Sequence, residues 1–383
     1  MELAMETKAK GLVAATLSVV VALAGCEAHR APPPAPAKPI ATVVPKPEKP
    51  RVPAQPEPVG AYSAPFVTGD FGGQPAVDRF IERMVAEHGF RPDYLKGLLS
   101  EARRKEWTIA YMNREAPSVK PKPGGWSRYR AKFLTENHIA KGAAFWHRYA
   151  GALERAQARF GVPPEYVLGI MGVETIYGSN VGKDRVLDAL ATLAFDYPRR
   201  AEYFTDELKS FLLMTRAERM DPAMPRGSFA GAMGLGQFMP SSFLEWAVDF
   251  DDDGRKDLWA PVDAIGSVAN YFARHGWQSG GAVVTPALAD GASAAELESG
   301  FDTRYTLAAL ASHGIHPSGV LRVAAEPVAL LRLSTNDGDE YWLGYQNFYV
   351  ITRYNHSTHY AMAVHDLAQA VKSRYRSTFS ASR

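Results

Sequence analysis

Apolar residues recur at three- and four-residue spacing through most of the chain. In "QPAVDRFIERMVAEHGF", Val77, Phe80, Ile81, Met84 and Val85 fall on one face and Gly89 follows. That period predicts an amphipathic helix stopping at the glycine. "RPDYLKGLLSEARR" repeats the pattern, and "TENHIAKGAAFWHRYAGALERAQARFG" predicts one long helix ending at Gly161. Pro163 and Pro164 open the next helix, at the end where proline is tolerated. "VLDALATLAFDYPRR" and "AEYFTDELKSFLLMTRAERM" extend the helical run. After Gly280 the pattern changes. Gly, Asp and Asn turns separate short β-branched or aromatic runs such as "EPVALLRLS" and "EYWLGYQNFYVITRY", which predict strands of a small sheet. "STHYAMAVHDLAQAVKSRY" returns to helix with Ser357 as its N-cap. The expected class is mostly α (α+β), with a helical body over 61–280, a small antiparallel β-rich insertion over 281–354, and a closing helix over 355–376.

Before residue 61 the pattern is of another kind. Lys8 and Lys10 precede an apolar run of about fourteen residues, the size of a secretory h-region rather than a membrane span. The run ends in "LAGC", Leu23 to Cys26, and Cys26 is the only cysteine in the chain. This looks like a bacterial lipobox, which implies a signal peptide over 1–25 and lipid attachment at Cys26. Several acyl chains on one residue give stable anchoring. Ala31 to Pro58 is dominated by Pro and Ala, so 26–60 is expected to be an extended tether reaching roughly 85 Å at about 3.1 Å per residue. A globular body over 61–383 held at a distance from a membrane follows, with the periplasmic face of the outer membrane as the expected location.

Composition narrows the possibilities further. The 383 residues are 46% hydrophobic and 22% charged, which is globular, and the net charge of +2 gives no electrostatic basis for nucleic-acid binding. A single cysteine excludes an intrachain disulfide and any multi-cysteine zinc site. In "HSTHY", His356 and His359 lack helical i,i+4 spacing and an acidic partner, so no metal is assigned to them.

The segment from Pro164 to Tyr177 is apolar nearly all round, yet it contains Glu174. Val167, Ile170 and Met171 precede the glutamate by seven, four and three residues and share its helical face. Desolvation there favours the neutral carboxylic acid, the form that can protonate a leaving group. A buried glutamate satisfied by an arginine or by backbone N–H groups is the structural alternative. The second chemical segment is "GSFAGAMGLGQFMPSS", whose glycines let backbone approach a ligand or a neighbouring helix.

Together, "GVET" and "GAMGLGQFMP" resemble the signature of the lytic transglycosylases. "YRAKFLTENHIAKGAAFWHRY", "DLWAPVDAIGSVANYFARHGW" and "NFYVITRYNHSTHYAMAV" extend the likeness to the membrane-bound lytic murein transglycosylase B family, from about Phe66 to Val371. The resemblance implies a lysozyme-like helical core at about 162–280 with extra helices around it. It implies cleavage of the β-1,4 bond between N-acetylmuramic acid and N-acetylglucosamine, leaving a 1,6-anhydromuramoyl end, with Glu174 as acid and base. Ser228 and Gln237 match polar groups near that glutamate. Tyr129, Phe238, Tyr271, Tyr354, Asn355 and Tyr360 match sugar-contacting positions. Peptidoglycan strands would be the partner, the membrane would be reached through Cys26, and the body would act as a monomer. Two other readings remain at this point: a muramidase, which needs a second carboxylate such as Asp188 or Asp196, and a non-catalytic peptidoglycan-binding lipoprotein.

"DFDDDGRKDLWA" reads as an EF-hand loop, with Asp249, Asp251 and Asp253 at positions 1, 3 and 5, Gly254 at 6, the Arg255 carbonyl at 7 and Asp257 at 9. Position 12 is Ala260, where an acid normally closes the site, and Asp263 lies one helical turn beyond. A structural Ca²⁺ is expected, with no cofactor needed for the chemistry. The alternative is an Asp-rich turn neutralised by Arg255 and Lys256.

Overall fold

The computed structural model describes residues 56–114, 123–290, 292–319 and 327–381. The signal segment, Cys26 and the tether up to residue 55 lie outside them. No helix among the described residues is long and apolar enough to cross a membrane.

The Pro164–Thr175 helix is the axis of the core. Val167, Leu168, Ile170 and Met171 are completely buried, as an apolar surface on every side requires. The 24-residue Thr358–Ala381 helix packs along it. Gly169 makes this approach possible, because a Cβ there would stand 2.7 Å from the Val364 carbonyl oxygen. The Glu136–Arg148, Ala150–Phe160 and Pro261–Arg274 helices surround the axis, and Val186–Asp196 packs on Ala201–Ala217.

Several local expectations are corrected. The long helix expected to run to Gly161 breaks at Tyr149 (φ −116°, ψ 25°), giving Glu136–Arg148 and Ala150–Phe160, which lets each half bury its own face. The Glu174 helix stops at Thr175, and Ile176 and Tyr177 take left-handed backbone (φ 51° and 56°). The sheet is four-stranded and antiparallel, ordered Ile315–Pro317, Val284–Ala289, Gly338–Gly344, Ala329–Thr335, with Leu331 opposite Trp342. Only the first half of "EYWLGYQNFYVITRY" is strand; Gln346–Tyr354 is helix. Asn347 accepts the Gln278 N–H at 2.7 Å and donates to the Gln278 carbonyl at 2.8 Å, fixing that helix's first turn to the core. The closing helix begins at Thr358, and the Ser357 hydroxyl accepts the Tyr360 N–H at 3.3 Å, as an N-cap does.

Candidate active site

Glu174 sits in the last turn of its helix, half-buried, and opens into a cavity of about 240 Å³. Gln237, Phe238, Tyr271, Tyr354 and Asn355 line the same cavity, so six of the residues singled out by sequence come together. Met239 and Ser242 line it too; both lie within "GSFAGAMGLGQFMPSS", though neither is singled out there. No other carboxylate lines this cavity among the described residues.

The environment makes Glu174 a weak acid. Burial pushes its pKa up to about 7, and the hydrogen bond donated by the Tyr360 hydroxyl to Oε1 only partly opposes this. Half of such a population is protonated near neutral pH, which suits proton donation. Tyr360 is itself buried and commits its hydroxyl to the carboxylate, so it holds the acid rather than standing exposed to a sugar. Tyr129 is half-buried, and burial together with the Glu174 charge raises its pKa, but it does not line this cavity. His359 lies against the Tyr129 ring, with centroids 5.6 Å apart.

The aromatic wall is built by mutual packing. The Tyr271 and Tyr354 rings meet edge to face at 4.8 Å, and Phe238 lies 5.8 Å from one and 5.9 Å from the other. Tyr354 donates to the Gly236 carbonyl at 2.6 Å and Tyr271 to the Arg353 carbonyl at 2.7 Å. With both hydroxyls anchored, the rings have fixed faces. Gln237 has left-handed backbone (φ 53°) and gives its amide hydrogens to the Val181 and Gly234 carbonyls at 3.1 and 2.9 Å. What it has left to offer a ligand is its oxygen, an acceptor. Ser228 does not line the cavity. Its hydroxyl oxygen accepts the Ala230 and Ala232 N–H groups at 3.3 and 3.0 Å and shapes the turn that presents Ala232.

Thr175 ties these two segments together. Its hydroxyl donates to the Leu235 carbonyl at 2.8 Å and accepts the Gly178 N–H at 3.0 Å. The Leu235 N–H in turn donates to the Leu258 carbonyl at 2.8 Å, inside the acidic loop. Gly234 (φ 69°) has no room for a side chain, since a Cβ would lie 2.4 Å from the Leu258 oxygen.

In that loop the carboxylates of Asp249, Asp251 and Asp263 bring one oxygen each within 4.8 Å of one another. Of the ligands expected from spacing, Asp249 and Asp251 belong to this group. Asp253 turns its carboxylate to the Arg255 N–H at 2.9 Å, and Asp257 turns to the Trp259 N–H at 2.8 Å. Neither belongs to the converging group. Asp263 is 1% exposed and accepts the Phe250 and Asp257 N–H groups at 2.7 and 2.8 Å, which folds the start of the next helix back over the loop. Three convergent carboxylates suit a hard, oxygen-seeking cation.

The alternative carboxylates are committed elsewhere. Asp188 pairs with Arg185 at 2.7 Å and accepts the Arg103 N–H at 2.9 Å, while Asp196 pairs with Arg104 at 2.8 Å.

A family model described as the Transglycosylase SLT domain matches residues 72–369. Membrane-bound lytic murein transglycosylase B of Escherichia coli (strain K12) is 52% identical over 308 residues, covering 79% of this chain and 84% of that protein. The solved Escherichia coli lytic transglycosylase SLT35, in complex with calcium, superposes with a TM-score of 0.77 at 50% identity, covering 81% of this chain and 96% of that one. SltB3 from Pseudomonas aeruginosa, solved in complex with NAG-anhNAM-pentapeptide, is more distant, with a TM-score of 0.68, 27% identity, and coverage of 77% of this chain and 78% of that one. The lysozyme-like fold, the cavity around Glu174 and this extent of identity agree, and the chain belongs to the lytic murein transglycosylases, a family of enzymes acting on peptidoglycan.

Proposed function

We propose that this protein cleaves the β-1,4 bond between N-acetylmuramic acid and N-acetylglucosamine in peptidoglycan, with Glu174 serving as acid and then as base. The observation that carries this reading is a solitary carboxyl group, raised to about 7, on an aromatic-walled cavity. Neutral Glu174 gives its proton to the glycosidic oxygen as the bond to C1 breaks. The resulting carboxylate then takes the proton of the muramoyl C6 hydroxyl as that oxygen attacks C1, closing the 1,6-anhydro ring. The carboxyl group ends protonated, so one residue completes the cycle. A glycosidase of the two-carboxylate kind needs a nucleophile or base opposite the acid. The partners that hold Asp188 and Asp196 favour the one-carboxylate route. The faces of Tyr271 and Tyr354 suit pyranose rings, and the Gln237 oxygen suits an acetamido N–H.

A calcium ion held by Asp249, Asp251 and Asp263 belongs to the same reading. The convergence of their oxygens and the calcium bound in the SLT35 structure support it. Bound there, the ion supplies charge compensation, and the loop braces Leu235 and Thr175 behind Glu174. The expected setting is periplasmic, with the lipid on Cys26 anchoring the body to the outer membrane.

Mass spectrometry of fragments released from purified peptidoglycan tests the activity. Products one water lighter than hydrolysed fragments and resistant to borohydride are expected. Reducible ends would mean a muramidase, and a Glu174→Gln variant that cleaves as well as wild type would overturn the assignment of the acid.

A further inference from the structure

We propose that the open face of Trp107, backed by Tyr111 and Phe229, is a second carbohydrate subsite that holds the glycan strand outside the Glu174 cavity. This rests on the activity proposed above. Trp107 is 56% exposed although it is the largest kind of apolar side chain. Its indole stacks on Tyr111 with ring centroids 5.1 Å apart and planes at 24°. Phe229 meets both rings on edge, at 5.5 Å from Trp107 and 4.7 Å from Tyr111. Tyr111 and Phe229 are half-buried, so one side of the cluster is packed while the indole faces water.

The cluster is joined to the active site by backbone. Phe229 is at the tip of a turn closed by Ser228 N–H to the Ala232 carbonyl at 2.8 Å and Gly231 N–H to the Ser228 carbonyl at 3.0 Å, and Ala232 lines the cavity. The helix that carries Trp107, Glu106–Arg114, is pinned at its start. Lys105 N–H donates to the Thr192 hydroxyl at 3.0 Å, and the Lys105 ammonium pairs with Asp184 at 2.9 Å. Gly231 lies against Leu190 of the same Val186–Asp196 helix that holds Thr192. Turn and Trp107 are therefore seated on one element, and their distance from the cavity is fixed.

The chemistry of the surface favours sugar. A cavity of about 240 Å³ is smaller than the ~300–1,000 Å³ that encloses a drug-sized ligand, so a polymer must leave it across neighbouring surface. An indole with one face supported offers the other to the apolar face of a pyranose ring. At the start of its helix Arg104 is paired with Asp196 and Glu106, and Lys105 with Asp184.

The test compares wild type, Trp107→Ala and Trp107→Tyr in the full chain, on glycan strands sorted by length, both peptide-free and peptide-bearing. For Trp107→Ala, kcat/KM on long strands falls about fivefold to tenfold, mostly through KM. Cleavage of the shortest strand that wild type accepts is unchanged, and Trp107→Tyr recovers most of the loss. Matching thermal melting curves for the three proteins establish that each is folded. Equal cleavage of long strands by Trp107→Ala overturns the subsite while leaving the activity standing, and so does an equal loss on both lengths. A loss confined to peptide-bearing strands also overturns it, in favour of a peptide contact. If wild type releases no anhydro ends at all, the proposed activity fails first and the subsite with it.

Discussion

The molecule keeps partly or fully buried carboxylates in two neighbouring places and treats them in opposite ways. Glu174 is alone on its cavity, receives one hydrogen bond from the Tyr360 hydroxyl, and is pushed up to about 7 by burial. Asp263 is more deeply enclosed, but backbone N–H groups of Phe250 and Asp257 point at it, and Asp249 and Asp251 converge beside it. Burial raises Asp263 as well, while those N–H groups pull it back. One site relieves the cost of desolvation by holding a proton; the other gathers negative charge of the kind that suits a cation. The lesson is that burial alone does not make an acid catalyst. The number of donors and the number of charges decide which outcome follows.

The two places are also mechanically joined. The loop meets "GQF" through Leu258 and Leu235, and "GQF" meets the Glu174 helix through Thr175. Ile176, Tyr177 and Gln237, three non-glycine residues in left-handed conformation, lie around this junction. Such backbone costs of order 1–3 kcal/mol per residue and persists only where packing enforces it. The junction is therefore rigid, and loosening the loop should be felt at the acid.

The largest effect expected is on chemistry. Glu174→Gln should lower cleavage by about 10³-fold or more, read as anhydro ends released from peptidoglycan. The same variant should gain stability in alkali. In wild type the unfolded chain loses this proton near the ordinary glutamate value while the folded chain keeps it to about 7, so the folded state binds more protons in that window. Its stability falls as pH rises through the window and stays low above it. Glu174→Gln removes that loss, so melting at pH 8 should favour the variant by on the order of 2–3 kcal/mol, with no advantage at pH 4.

Next in size is the cation. Calcium at about a hundredfold above its dissociation constant should stabilise the folded chain by about 2.7 kcal/mol, read as a rise in melting temperature that a chelator reverses. Asp263→Asn should abolish that response. If the variant still responds fully, Asp263 is not a ligand and the contrast between the two places fails.

Cutting the link comes third. Thr175→Val leaves the Gly178 N–H and the Leu235 carbonyl without their partner, which should cost about 1–3 kcal/mol by chemical denaturation. Calcium should then protect activity less than in wild type. The smallest effect is a shift of a pH profile. kcat/KM should fall above about pH 7 as Glu174 loses its proton. Tyr360→Phe removes the bond that favours the carboxylate, so the alkaline limb should move up by about one pH unit. A downward shift would mean that Tyr360 supports the neutral acid instead.

Much of this was written locally in the sequence. The apolar spacing around Glu174 already placed it on a buried helix, because residues three and four apart share a face whatever packs against them. Glycine and proline marked a few helix ends, at Gly89, Gly161 and Pro164, and the strand of "EPVALLRLS" followed from β-branched and aliphatic residues between turns. Spacing along the acidic loop brought out Asp249 and Asp251. Other features depend on contacts that no local period records. Tyr360 reaches Glu174 from 186 residues along the chain. The Asp263 carboxylate meets Asp249 and Asp251 only because the following helix folds back over the loop. "YQNFYVITRY" has the composition of a strand and becomes a helix because Asn347 docks on Gln278. Periodicity fixes which face of an element is apolar; only the packed structure decides what meets that face, and with it which carboxyl group stands alone and which carboxylates converge.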